Sequence, residues 1–228
     1  MTALASLTEK PHQLSDALPQ GAPTGLLGLR KRILDIAITL PLIIFLTPLF
    51  ILIALAVRLI DGQPILYRHI RCGQGGQHFV LYKFRTMRTD GDAMLDRLLM
   101  DDPVARADWQ AFRKLRRDPR VTRFGWFLRK SSLDELPQLF NVLKGDMSLV
   151  GPRPIIDEEL ARFGALAPVY EAARPGITGL WQVSGRNETD FATRVALDTA
   201  YVRDWSLNRD IALLLKTIPA VLLAKGAY

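Results

Sequence analysis

Sulfur and imidazole are scarce in this sequence. Cys72 is its single cysteine, which excludes an intramolecular disulfide and argues against a thiolate metal site. The three histidines, His12, His69 and His78, show no zinc-ligand spacing. Nor is a secretory leader expected. Residues Met1–Thr24 have neither the basic start nor the short apolar core of one. Their unpatterned mix of Ala, Pro, Gly, Ser and Gln predicts a disordered tail over residues 1–28. There are no internal repeats, and no Pro/Ser-rich linker follows residue 60, so the remainder reads as one domain. Acid is in deficit: 23 Asp and Glu against 30 Lys and Arg leave a net charge of +7. That balance fits a polyanionic partner, whether nucleic acid, an anionic membrane or a phosphorylated substrate.

What dominates instead is a long apolar run. Ile36–Val57 holds 22 residues without a charge, enough to cross a bilayer as a helix. Pro41 and Pro48 interrupt it, and both flanks are basic: Arg30, Lys31 and Arg32 before, Arg58, Arg68 and Arg71 after. The segment either crosses once or dips in, bends near Thr47-Pro48 and returns to the cytoplasmic side. Asp35 and Arg58 are placed to snorkel to the interface in both cases. A run this apolar speaks against a soluble nucleic-acid-binding protein.

Beyond the anchor, Ile65–Arg71 and His78–Phe84 are strand-formers around a Gly-rich turn, a β-hairpin pattern. Helices are predicted over Ala93–Leu115, broken near Asp102-Pro103, and over Ser131–Leu143, Pro154–Leu166, Thr189–Trp205 and Ile211–Leu223. The last is too short to span a membrane and suits either the core or the interface. The fold class is therefore helix-dominated α+β.

The densest polar constellation runs from Arg113 to Arg153 and centres on the adjacent acids Asp134 and Glu135. Acids at a helix start are ordinary, and Ser132 with Glu135 matches a capping box. Pro137 complicates that account: it sits beyond the first turn if Ser132 is the cap and inside it if Asp134 is. Three loops hold a cation among Gly and Pro: Gly151-Pro-Arg-Pro154, Arg174-Pro-Gly-Ile-Thr-Gly179 and Ser184-Gly-Arg-Asn187. Prolines on both sides of Arg153 reduce the entropy lost on binding, and the planar guanidinium suits phosphate. With Arg129, Lys144, Arg153, Arg174 and Arg186 around a carboxylate pair, a phosphate site is expected. A carboxylate facing a diphosphate needs its repulsion cancelled, which arginines and Mg²⁺ can do.

The stretches Asp118–Gly125, Leu133–Pro154 and Arg174–Asn187 resemble the bacterial sugar transferases that prime polysaccharide synthesis, the monotopic polyprenyl-phosphate phosphoglycosyl transferases. The likeness covers about Leu29–Tyr228. It implies a re-entrant membrane helix over residues 29–60 and a catalytic domain over 61–228 with an interfacial C-terminal helix. The family breaks its membrane helix at Ser-Pro, where this chain has Thr47-Pro48. The resemblance implies Asp134 as a nucleophile that also approaches Mg²⁺, Glu135 as its support, and Arg153 and Arg129 near phosphate. It implies transfer of galactose-1-phosphate or glucose-1-phosphate from a UDP-sugar to undecaprenyl phosphate, with UMP released, on the cytoplasmic face of the bacterial inner membrane. The chain looks like the small exopolysaccharide-initiating members, and its ending like galactose transferases. Asp198 is a further candidate acid, with the surface of its helix as the plainer reading. The expected partners are the UDP-sugar, the lipid phosphate and the membrane, with a second copy of the chain admitted and nucleic acid not expected. A non-catalytic scaffold of a polysaccharide assembly complex would need the anchor but not the paired acids.

Overall fold

The computed structural model describes residues 26–112, 115, 118–185 and 190–222, so the N-terminal tail up to Gly25 and Arg186 lie outside the described residues. The first helix, α1 (Leu26–Ile60), contains Pro41 and Pro48. Pro48 has no N–H to return to the preceding turn; the Thr47 hydroxyl bonds back to the Ile43 carbonyl at 2.8 Å. Among the described residues α1 is the one helix long and apolar enough to cross a membrane, and only 11% of its most apolar window is buried. That low burial separates it from a core helix.

The buried and half-buried positions of α1 form a stripe: Asp35, Thr39, Leu42, Ile43, Leu46, Leu49, Phe50, Ile53 and Val57. This three-to-four spacing is one face of a helix. It lies against the rest of the protein from end to end. Near the start, Arg32 donates to the last carbonyls of α5 (Gln138–Lys144) at Val142 and Leu143. Lys31 meets Asp210 at 2.5 Å and the Val150 carbonyl at 2.9 Å. Near the end, Ile53 and Val57 pack with Phe84 and Leu128. The opposite face exposes Ile36, Leu40, Ile44, Phe45, Ile51, Leu52, Leu55 and Leu59. Asp35 does not snorkel. It is 1% exposed and accepts bonds from the Ser148 hydroxyl at 3.0 Å and the Leu149 N–H at 2.9 Å, because its helix face is docked on protein rather than turned to headgroups. Arg58 is exposed.

The hairpin forms as predicted, β1 (Leu66–Cys72) antiparallel to β2 (His78–Phe84), with Leu66 opposite Phe84 and Cys72 opposite His78. A short 3₁₀ turn, Gln74–Gly76, closes it, with Gly75 and Gly76 at positive φ. The break at Asp102-Pro103 also forms. It separates α2 (Gly91–Asp101) from α3 (Pro103–Phe112), and the Asp102 carboxylate caps α3 through the Val104 and Ala105 N–H groups. After α4 (Arg123–Lys130) and α5, a second sheet pairs β3 (Ser148–Val150) in parallel with β4 (Gly176–Thr178). Three-residue strands leave little periodicity, so no sequence pattern announces them. Their backbones cross so closely that a Cβ on Gly151 would stand 2.3 Å from the Arg174 carbonyl oxygen.

The helix expected over Pro154–Leu166 is shorter and broken. It resolves into α6 (Asp157–Ala161), a 3₁₀ turn at Gly164–Leu166 and α7 (Ala167–Glu171), with Gly164 at φ 54° interrupting the helical backbone. A single turn, α8 (Leu180–Val183), then leads to α9 (Phe191–Arg203), capped by Asp190, and α10 (Leu207–Leu222). The main core gathers Leu81, Leu139, Val142, Met147, Val150 and Tyr201 between hairpin, α5, β3 and α9. Leu213 of α10 joins it, while Ile211, Leu215 and Ile218 face outward. The protein is thus a helix-dominated α+β fold with a small antiparallel hairpin and one long apolar N-terminal helix.

Candidate active site

The acids Asp134 and Glu135 do not begin an α-helix. The helix expected over Ser131–Leu143 is replaced by the end of α4, a 3₁₀ turn at Leu133–Glu135, and α5. Ser132 takes the left-handed backbone (φ 56°) and makes no side-chain cap, so the capping box is not formed. Pro137, which cannot donate to a helical ladder, stands at the N-cap of α5. The pair is therefore held on its own tight turn between two helices.

That turn points the two carboxyls differently. Asp134 is buried, 7% exposed. Glu135 lines an open cleft together with Lys83, Arg71, Arg153, Gln138 and Gln182. Lys83, from β2, joins the acids: its Nζ lies 2.6 Å from Glu135 Oε1 and 4.0 Å from Asp134 Oδ2. Burial pushes the Asp134 carboxyl up to about 6, against the pull of Lys83; Glu135 adds to the rise and Arg129 opposes it. Arg129 is fixed by a 2.8 Å bond from Nε to the Thr86 hydroxyl. Burial lowers its pKa, while Asp134 and Asp118 pull the other way.

Arg153 enters the cleft from the loop after β3. Tyr170 steadies that loop, donating to the Cys72 carbonyl at 3.2 Å and the Arg153 carbonyl at 3.3 Å. The Arg153 guanidinium lies 5.7 Å from the Trp181 ring centre, and that of Arg194 approaches the same ring at 4.9 Å. Arg194 pairs with Glu159 at 3.0 Å and Asp198 at 3.6 Å. Asp198 is therefore no helix-surface acid. It is 1% exposed, and burial pushes it up to about 7 although Arg194 and Arg153 both oppose this.

The fold thus brings Glu135 and Arg153 to one cleft with Lys83, holds Asp134 buried behind Lys83 at 4.0 Å, sets Arg129 beside Asp134, and places Asp198 within reach of Arg153's field. Arg174 is half-buried where its backbone crosses Gly151. Lys144 is not brought in: it sits at the far end of α5, exposed, paired with Asp146 at 3.0 Å. Sequence reasoning missed Lys83, Arg71 and Arg194. Lys83 had a faint signal, a lone cation inside the apolar strand Phe79–Phe84.

The bacterial sugar transferase family matches residues 27–224. The chain belongs to this family. The sugar transferase is 49% identical over 213 residues to "Exopolysaccharide production protein ExoY" of Sinorhizobium fredii, covering 92% of this chain and 94% of that protein. It is 52% identical over 198 residues to "Undecaprenyl-phosphate galactose phosphotransferase" of Salmonella typhimurium, covering 87% of this chain but 41% of that one. It is 43% identical over 227 residues to "UDP-glucose:undecaprenyl-phosphate glucose-1-phosphate transferase" of Caulobacter vibrioides, covering 95% of this chain and 79% of the relative. The apolar helix gives this sugar transferase a means of membrane attachment.

Proposed function

We propose that this sugar transferase moves a hexose-1-phosphate from a UDP-sugar to undecaprenyl phosphate, releasing UMP, as the first membrane step of exopolysaccharide synthesis. The observation that carries the proposal is the buried Asp134 carboxyl beside Glu135 and Lys83 at a cleft rimmed by Arg71 and Arg153. The names of the relatives supply the reaction class, and both galactose and glucose occur among them.

In this reading Asp134 is the nucleophile. With a pKa of about 6 it is mostly ionised at neutral pH yet poorly solvated, which favours attack on phosphorus. Its Oδ attacks the sugar-bearing phosphorus; the bond from that phosphorus to the bridging oxygen breaks, and UMP leaves with the electron pair. The aspartyl phospho-sugar is then attacked by a lipid phosphate oxygen, which regenerates the carboxylate. Arg153 and Arg71 balance phosphate charge, and Lys83 keeps the two acids together. The donor set fits Mg²⁺: two carboxylates on one turn, with phosphate oxygens to complete the shell. Asp134 would hold the ion, which would neutralise charge on the diphosphate.

The stripe that docks α1 on the protein from Asp35 to Val57 supports an anchor that enters and leaves the membrane on one face, the cytoplasmic face in this proposal. A helix that crossed the bilayer alone would have no protein-facing side. Incubation with donor alone, followed by peptide mass spectrometry, should reveal a phospho-sugar on Asp134. A panel of UDP-sugars scored for UMP release identifies the sugar. Unchanged turnover in Asp134→Asn would defeat the proposal.

A further inference from the structure

Three side chains of different chemistry converge where the hairpin meets α6: Cys72 at the end of β1, His78 at the start of β2 and Asp157 at the start of α6. Cys72 Sγ lies 3.0 Å from Asp157 Oδ1, and His78 Nε2 lies 2.9 and 3.1 Å from the two Asp157 oxygens. All three donor atoms fall within 4.8 Å of one another. Donor atoms around a tetrahedral zinc ion stand about 3.5 Å apart, so the contacts to Asp157 need to open by only a few tenths of an ångström, while Cys72 Sγ and His78 Nε2 already stand within 4.8 Å of each other. His78 and Asp157 are half or more exposed, at 51% and 69%, which gives an ion a path in and leaves a coordination position for water. Cys72 is buried, which shields a metal-bound sulfur.

We propose that Cys72, His78 and Asp157 form a Zn²⁺ site. A thiolate, an imidazole and a carboxylate are a zinc-type donor set; Mg²⁺ takes oxygen ligands and would not compete for it. On binding, the Cys72 S–H bond breaks, its proton leaves to solvent and sulfur bonds the metal. A bound divalent ion keeps a coordinating thiol deprotonated.

The position gives the ion structural leverage. Cys72 directly follows Arg71, and Asp157 lies four residues beyond Arg153; both arginines line the cleft. The two segments already touch, the Cys72 N–H donating to the Ile155 carbonyl at 2.9 Å. Zinc would brace that junction. The site was hidden in the sequence because 72, 78 and 157 follow no compact spacing; the hairpin register places Cys72 opposite His78, and α6 supplies the third ligand.

The full chain in detergent, stripped with chelator, loaded with Zn²⁺ and dialysed against excess Mg²⁺, should retain one zinc per chain by elemental mass spectrometry. Co²⁺ in its place should give a thiolate-to-metal charge-transfer absorption. Cys72→Ser should abolish that band. His78→Ala and Asp157→Asn, whose side chains are exposed enough to spare the fold, should each weaken binding by at least ~10-fold, since even outer-shell substitutions reach that range. Asp134→Asn should keep its zinc, which separates this site from the acids of the cleft. Zinc lost on dialysis, zinc held equally by His78→Ala and Asp157→Asn, or cobalt bound without the sulfur band would each overturn the assignment.

Discussion

Replacing Lys83 by methionine tests the electrostatics of the site without changing much volume. Lys83 is the largest influence holding the Asp134 pKa down, at 4.0 Å from the carboxylate. Two unit charges at that distance interact by about 4 kcal/mol at an effective dielectric near 20. Lys83 also serves Glu135, and its side chain is 22% exposed, so a smaller part is felt by Asp134. Taking a third to two-thirds leaves about 1.4–2.7 kcal/mol, or roughly one to two pH units. An Asp134 that titrates near 6 would then titrate between about 7 and 8. Its ionised fraction at neutral pH would drop from about nine-tenths to between a half and a tenth. The assay is kcat/KM for UMP release across pH. The acid limb of Lys83→Met should move upward by that interval, with activity recovering in alkaline buffer. If Lys83 only gripped substrate phosphate, the variant would lose activity equally at every pH with the limb unmoved, and the reasoning would be refuted.

Asp198 offers a stability test of the same kind. Its folded pKa of about 7 lies above the ordinary 3.8, so folding favours the protonated acid, and stability is lost as pH rises between those values, by up to ~4 kcal/mol. Asp198→Asn should flatten that part of the curve in thermal melts; a wild-type stability that does not fall over this range would contradict the burial argument. Gly151→Ala would drive a Cβ into the Arg174 carbonyl, and should cost about 1–3 kcal/mol in denaturant melts while displacing the Arg153 loop. In sealed vesicles of a Cys72→Ser background, single cysteines placed before Asp35 and after Asp61 should label from the same side. Labelling from opposite sides would establish a crossing helix.

What was legible in the sequence follows from the range of the forces involved. The hairpin and the α2–α3 break were readable because alternation, Gly turns and an Asp-Pro step act over a few residues. The paired acids and Arg153 stood out because charge beside proline has few structural explanations. Lys83, Arg71 and Arg194 did not, because each lies in an ordinary strand or helix and gains meaning from a partner far along the chain: Glu135 for Lys83, Glu159 for Arg194. Asp198 looked like helix surface for the same reason, since the groups that bury it come from other segments. The turn that separates Asp134 from α5 depends on Ser132 accepting a left-handed backbone, which few serines do.

The anchor and the acids are mechanically close. Lys83 and Phe84 are neighbours on β2, so their side chains point to opposite faces of the hairpin. Lys83 reaches Glu135, while Phe84 packs with Ile53, Val57 and Leu128. Leu133 and Leu136, which flank the acids, pack against that same cluster. The end of α1 is thus part of the support that sets where Lys83 and the Asp134–Glu135 turn meet. Moving α1 away from the body would not simply release the protein from the membrane; it would remove the apolar backing of the strand and turn that hold the site. A soluble form made by deleting α1 would expose this cluster to water, so attachment and site geometry are coupled through one patch of buried side chains.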